Sequence, residues 1–439
     1  MNAGEEIPPR PPFSKGGRQG RLHYAWWILA ASVVIELFGL GFGIFAITTV
    51  YPYIIDTFPD WSRSTVFLPT SLIILIVGGL SPLTGWLIDR FSIRWLFAIG
   101  IVIQAIALYL FSHVQTPAEY IGASLLLGLG MAGVTILPNQ VLVSRWFHSR
   151  LGLVNGILLA ATALGAAMAP ALITRMIEVL DWRTAFRIMS LIASLPPLIV
   201  VALLVRDRPA TLGLAPYGAE LTAAGVVVAP TGLTLAEASR IPAFWFFAGA
   251  ILLGGMPCYA FNKHILVFLK ELGYDPIRAA DYKSLFFLVS ACARLLFGWL
   301  ADRTDRRNLL LGQILLIACG YPLLFLVPTH PGILVPALVL FGAGYGGLLP
   351  SIPILVVHYF GRAHLGTLLG AYKVVYDLAA ASAPLFTAAL YDRTGSYTVP
   401  QMWLTGCAWV AVVLVVVGLP HQISRPARRG APAAHPAGG

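Results

Sequence analysis

The decapeptide GWLIDRFSIR at positions 85–94 returns as GWLADRTDRR at 298–307, with Gly, Trp, Leu, Asp, Arg and the closing Arg all kept 213 residues later. The same offset brings Phe147 onto Phe360. An offset of 214 brings Gly128, Gly130 and Gly133 onto Gly342, Gly344 and Gly347, and Ala169-Pro170 onto Ala383-Pro384. A period this long means two duplicated domains, not a solenoid of short repeats.

Each copy contains about six apolar runs, each long enough to cross the roughly 30 Å of a bilayer core at about 20 residues. In the first copy they fall near 24–51, 65–88, 95–114, 118–144, 150–177 and 184–205. In the second they fall near 243–269, 281–301, 309–328, 332–359, 365–391 and 399–419. Composition agrees: 58% of residues are hydrophobic, 11% are charged, and the mean hydropathy is +0.80. The expected fold is an all-α membrane protein of twelve transmembrane helices in two six-helix halves, 24–205 and 241–420. Residues 1–23 are an N-terminal tail, 206–240 a linker and 421–439 a disordered tail. Within the linker, Thr234 with Glu237 three residues on predicts a capped surface helix. The apolar run after Tyr24 is too long for a signal peptide and is retained as the first span.

The net charge of +10 reflects topology and not a nucleic-acid footprint. Segments on the side of the N-terminus carry eighteen Lys and Arg, against eight on the opposite side. By the positive-inside rule both termini are cytoplasmic. Cys258, Cys292, Cys319 and Cys407 all fall inside spans without CxxC spacing, so neither a disulfide nor a metal site is expected. No cofactor is expected either.

Two parallel six-helix repeats with a cytoplasmic linker are an arrangement of secondary transporters. The GxLxDRxxxR pattern after the second span, repeated after the eighth, resembles the signature of the major facilitator superfamily over residues 24–420. Trp146-Phe147 before Arg150 and Gly156, the DRPATLGLAPYG stretch from Asp207 and the RLLFGWLADR run from Arg294 resemble its bacterial monocarboxylate and oxalate:formate branch.

The repeated signature also has a physical reading. Asp89 and Asp302 fall at helix C-termini, where an acid opposes the dipole unless cations compensate; Arg90, Arg94, Arg303 and Arg307 are placed to do so. With Gly85 and Gly298 they form a candidate latch between halves. GLGMAG from Gly128 and GAGYGG from Gly342 match GxGxxG, yet neither follows a strand, so close helix approach explains them better than a dinucleotide.

Four charges fall inside spans: Glu36 in the first, Arg294 in the eighth, and Lys373 with Asp377 in the eleventh. Facing lipid, they would together cost about 10 kcal/mol, so they face the interior. Lys373 and Asp377 share a helix face four residues apart and are candidates for an ion pair. Glu36 is equally open to a hydrogen-bonding role within its own half. Arg294 has no acid one turn away, and its planar fork suits a carboxylate.

The family resemblance implies that Arg294 holds a substrate carboxylate, that Lys373 assists, and that Tyr345 walls the site. Eukaryotic relatives carry an aspartate one turn before this arginine; here it is Ser290. Arg294 and Lys373 balance Glu36 and Asp377, so protonating one acid leaves one cation for a monoanion. Asp377 is the favoured proton site, with Glu36 second.

Asn139, Gln140, Asn155, Tyr372 and Tyr376 are further cavity candidates, with interface anchoring as the alternative for the tyrosines. Asn262, Lys263 and His264 are candidates for an outer gate or a solvated rim. The expected activity is proton-coupled transport of a small monocarboxylate by a monomer in the cell membrane, the partners being an organic anion, a proton and the bilayer. Anion exchange, export of a hydrophobic compound and a non-transporting receptor are the alternatives. An enzyme is not expected.

Overall fold

The computed structural model describes residues 23–61, 63–219, 231–274 and 276–420. The 421–439 tail, residues 1–22 and residues 220–230 of the linker lie outside the described residues. The first half comprises α1 Tyr24–Val34, α2 Gly43–Thr57, α3 Arg63–Arg90, α4 Ile93–Phe111, α5 Pro117–Ala132, α6 Ile136–Trp146, α7 Leu151–Val179, α8 Trp182–Ile192 and α9 Leu195–Leu203. The short linker helix α10 is Leu235–Ala238. The second half comprises α11 Pro242–Glu271, α12 Pro276–Ala301, α13 Arg306–Gly320, α14 Leu334–Phe360, α15 Leu365–Thr394 and α16 Thr398–Gly418.

Eleven spans among the described residues are long and apolar enough to cross a membrane, one fewer than expected. The difference lies in α7, of which only Leu151–Thr162 counts as a shorter apolar stretch among those residues. As a helix α7 runs for 29 residues, about 44 Å, and corresponds to the expected fifth span. No strand occurs among the described residues, apart from two isolated bridges. The chain is a multi-pass membrane protein. Side chains such as Leu75 and Val417, each more than two-thirds exposed, form the outer apolar surface that lipid covers.

Local chemistry sets the helix ends. α5 begins at Pro117 because Thr116 and Glu119 form a reciprocal capping box, and α10 begins likewise with Thr234 and Glu237, as expected. α15 stops where Gly395 takes a left-handed φ of 64°. Between α1 and α2 the helix widens into a π-helical segment, Ile35–Phe42, which contains Glu36. Such widening is uncommon over eight residues and concentrates at functional positions.

The GxGxxG glycines pack helices closely, as expected. A Cβ on Gly130 would approach the Gly100 carbonyl of α4 to 2.9 Å, and one on Gly344 would approach the Gln313 carbonyl of α13 to 2.6 Å. The two contacts are equivalent in the two halves. Each end of the linker is tied to a helix end: the Tyr217 amide donates to Trp146 O at 2.8 Å, and the Leu233 amide donates to Phe360 O at 2.8 Å. The four cysteines are free thiols; Cys258 is buried, while Cys292 and Cys319 are exposed.

Candidate functional site

The two halves meet along two seams, α3 with α15 and α7 with α12. At the signature end the backbones touch. A Cβ on Gly85 would fall on the Gly366 carbonyl, and one on Gly152 on the Gly298 carbonyl. The reciprocal approaches, Gly366 to Gly85 O at 2.6 Å and Gly298 to Gly152 O at 2.5 Å, leave no room for any side chain. One turn further in, Gly370 meets Ser81 O and Gly156 meets Arg294 O, again as equivalents.

The signature acids hold these seams by capping helices of the opposite half. Asp89 accepts from the Gly366 amide at 3.1 Å, the Thr367 amide at 2.8 Å and the Thr367 hydroxyl at 2.7 Å. Asp302 accepts from the Gly152 amide at 2.9 Å and the Leu153 amide at 3.1 Å. Each carboxylate sits at a helix N-terminus, where free amides and the dipole favour negative charge.

This corrects the expected pairing with the signature arginines. Arg90 lies over Trp86 at 5.0 Å and Arg303 over Trp299 at 4.0 Å. Arg94 donates to Ala202 O, and Arg307 to Val416 O and Leu419 O. The cation nearest Asp89 is Arg145, at 4.0 Å. The arginines instead brace each half internally, Arg90 and Arg303 on indole rings of their own helices and Arg94 and Arg307 on carbonyls of other helices in the same half.

A third tie crosses the halves at the same end. Arg362, between α14 and α15, donates to Ser144 O at 2.5 Å and Phe147 O at 3.1 Å, capping the C-terminus of α6. Burial and the nearby Arg306 bring its guanidinium down to about 10, so it stays charged at neutral pH. Burial first, and Arg362 second, push the adjacent His148 down to about 4.

The four interior charges lie deeper. Lys373 reaches both Asp377 oxygens at 2.5 Å, and this pair packs against Gly78 of α3. Arg294 Nη1 donates across the other seam to Leu159 O of α7 at 3.0 Å, while its buried Nε has no partner. The guanidinium lies beside the Tyr345 hydroxyl, and Tyr345 stacks on Phe286 at 5.5 Å. Ser290, one turn before Arg294, has a buried hydroxyl without a partner. Among the described residues no carboxylate pairs with Arg294. Leu159 lies 214 residues before Lys373 and Ser81 lies 213 before Arg294, so the two cations occupy equivalent levels of the two seams.

Glu36 is fully buried and stays within the first half. It accepts from Asn139 Nδ2 at 3.0 Å and from the Thr162 hydroxyl at 3.1 Å. Asn139 is thus committed to Glu36, although its Oδ1 has no partner. Asn155 donates to Leu151 O, and Gln140 is buried.

Tyr372 and His264 are placed elsewhere than expected. Tyr372 is fully buried among Phe244, Phe247 and Phe360, with its hydroxyl on Phe244 O at 3.2 Å, because its side of α15 faces α11. Tyr376 meets Tyr259 edge-on at 4.9 Å. His264 contacts the Tyr397 hydroxyl and Pro384 O, so it joins helices within the second half. Lys263 is exposed, and Asn262 is partly buried.

Sequence reasoning did not identify Thr162, Arg362, Gly152, Gly366 or the Leu159 carbonyl. The glycines carry a usable signal: LGLVNG from Leu151 and LGTLLG from Leu365 repeat at the offset of 214.

A sequence model of the Major Facilitator Superfamily matches residues 33–384 and again 283–435. Monocarboxylate transporter 13 of Bos taurus is 26% identical over 347 residues, covering 78% of this chain and 77% of that protein. The fujikurins efflux protein of Gibberella fujikuroi is 27% identical over 356 residues, covering 77% of this chain and 70% of that protein. Among solved structures, the proton:xylose symporter XylE superposes with a TM-score of 0.70 at 14% identity, over 90% of this chain and 96% of XylE. That last likeness concerns the fold alone.

Proposed function

Since this chain belongs to the major facilitator superfamily and is a transporter, not an enzyme, we propose that it carries a small monocarboxylate across the cytoplasmic membrane by alternating access, in symport with a proton. The observation that carries this reading is Arg294. Its guanidinium sits between the halves beside Tyr345, held by a carbonyl in place of an acid and with Nε unpartnered. A carboxylate is the group that a planar fork with free donors accepts best.

Lys373 stands at the equivalent level of the other seam and adds to the field around an anion. Its charge is matched by Asp377, whereas Glu36 has hydrogen-bond donors but, among the described residues, no cation. The geometry therefore favours Glu36, not the Asp377 preferred from sequence, as the proton carrier. A proton on Glu36 leaves the Arg294 charge to be matched by one monoanion, giving one-to-one symport.

Placing the arginine-rich signature end in the cytoplasm makes this conformation closed to the cytoplasm, with both termini inside. In a Gram-negative cell the membrane would be the inner one. The carrier acts as a monomer. The fujikurins relative favours a second reading, export of a hydrophobic organic compound.

Proteoliposome uptake of labelled acetate, lactate, pyruvate, formate and oxalate, with and without a pH gradient, separates the two. Uptake of one of these that is driven by the gradient and lost in Arg294→Ala is the expected result. Uptake unaffected by Arg294→Ala would overturn the anion site.

A further inference from the structure

One turn of α7 touches both sites. Its Leu159 carbonyl accepts from Arg294 across the seam at 3.0 Å, and its Thr162 hydroxyl donates to Glu36 Oε2 at 3.1 Å. A threonine hydroxyl in a helix has a second target, the carbonyl three or four residues earlier, which for Thr162 includes Leu159 O. In this conformation Arg294 donates to that carbonyl, and the Thr162 hydroxyl donates to Glu36.

We infer that the Thr162 hydroxyl is a two-position relay that links the proton site to the anion site. With Glu36 ionised, Thr162 donates to its carboxylate while Arg294 rests on Leu159 O. When an anion draws Arg294 away, Leu159 O becomes free to accept the Thr162 hydroxyl proton. The Thr162 oxygen then presents its lone pairs to Glu36, which can donate to it only as the protonated acid. Glu36 takes that proton from water and later returns it to water; no other atom changes hands. Arg294 release and Glu36 protonation thus favour one another through one hydroxyl, which can donate to only one of the two at a time.

The surroundings of Glu36 suit such a relay. Among the described residues its hydrogen-bond partners are Asn139 and Thr162. α1 and α9 bring no Asp, Glu, Lys or Arg, and among the described residues none of the charges of α2, α6, α7 or α8, namely Asp56, Arg145, Arg175, Glu178, Arg183 and Arg187, pairs with the carboxylate. The π segment is clamped as well: a Cβ on Gly165 of α7 would approach Gly41 Cα and Leu37 O to 2.7 Å, so α7 and Glu36 are held in register.

The inference rests on Glu36 as the proton carrier, and infrared difference spectroscopy of the full-length purified protein tests the two separately. The C=O stretch of protonated Glu36 is the band lost in Glu36→Gln as pH is varied. If no titrating band is lost in that variant, the proton-carrier reading falls. If the band is present, Arg294→Ala is expected to shift it in the parent and in Thr162→Ser, and to cause no shift in Thr162→Val. Thr162→Ala serves in place of the valine variant should that protein not fold. An Arg294→Ala shift of equal size with and without the residue 162 hydroxyl, or no shift in the parent, overturns the relay while leaving Glu36 as the carrier.

Discussion

Asp89 of α3 and Thr367 of α15 are joined by two hydrogen bonds, 2.8 Å from the Thr367 amide and 2.7 Å from its hydroxyl, although the residues belong to opposite halves. Asp302 repeats the amide contacts on α7. The signature acid is therefore a helix cap supplied in trans. When the halves part at this end, two helix N-termini lose their caps together.

Asp89→Asn and Asp302→Asn each keep an acceptor oxygen but lose the charge that faces the dipole. Each is expected to weaken the closed signature end by about 1 kcal/mol, roughly a five-fold change in population. The measurement is labelling of Ser81→Cys, in a background lacking the four native cysteines, with a membrane-impermeant thiol reagent. Unchanged labelling rates in both variants would show that the caps do not hold the gate.

Gly85→Ala and Gly298→Ala act more strongly, because the added methyl group meets backbone and not a movable side chain. Overpacking of this kind costs about 1–3 kcal/mol. Faster Ser81→Cys labelling than in the parent is expected for both, together with transport reduced at least about ten-fold. Full transport in Gly298→Ala would mean that the α7–α12 seam already stands further apart in the membrane.

Lys373→Ala leaves the Asp377 charge without its partner, and Asp377→Ala does the converse. Each single change is expected to cost roughly 3 kcal/mol, while the double change recovers most of that loss. Thermal unfolding in detergent reads the stability, and uptake reads the function. Recovery of stability without transport assigns Lys373 to the substrate; recovery of both restricts the pair to a structural role.

His148 supplies a pH dependence outside the membrane spans. Its folded value of about 4 lies below its ordinary 6.5, so the unfolded chain binds the extra proton. Stability is therefore full above about 6.5 and declines as pH falls towards 4. The His148 amide also holds Tyr217 O, so the linker clip is the region placed under stress. Between pH 7 and pH 4.5 the parent should lose more thermal stability than His148→Gln. Equal losses would exclude His148 as the source.

Much of the fold was legible because lipid imposes one-dimensional rules. Span length, Lys and Arg asymmetry and the 213-residue repeat can be read without knowing any contact. α7 follows the same rules, running as one helix from Leu151 to Val179 over the expected fifth span. The interior charges were legible for a related reason, since a charge in a span must find an interior partner. The i,i+4 spacing also named the Lys373–Asp377 pair correctly.

Partners across the seams were another matter. Arg90 and Asp89 are neighbours in sequence, yet the acid turns to α15 and the arginine to Trp86. Tyr372 and Lys373 are adjacent on α15, but one helical step directs the first into the aromatic core of its own half and the second towards α3.

The sequence alone determined the duplicated helical scaffold, its placement in a membrane and the four charges that must avoid lipid, because those follow from composition, spacing and solvent. Tertiary structure alone decided that Asp89 and Asp302 cap helices of the other half, that Glu36 stands without a cation, and that one turn of α7 reaches both Glu36 and Arg294. These depend on which helix faces oppose one another across two seams, and residues more than a hundred positions apart carry no local pattern that records it.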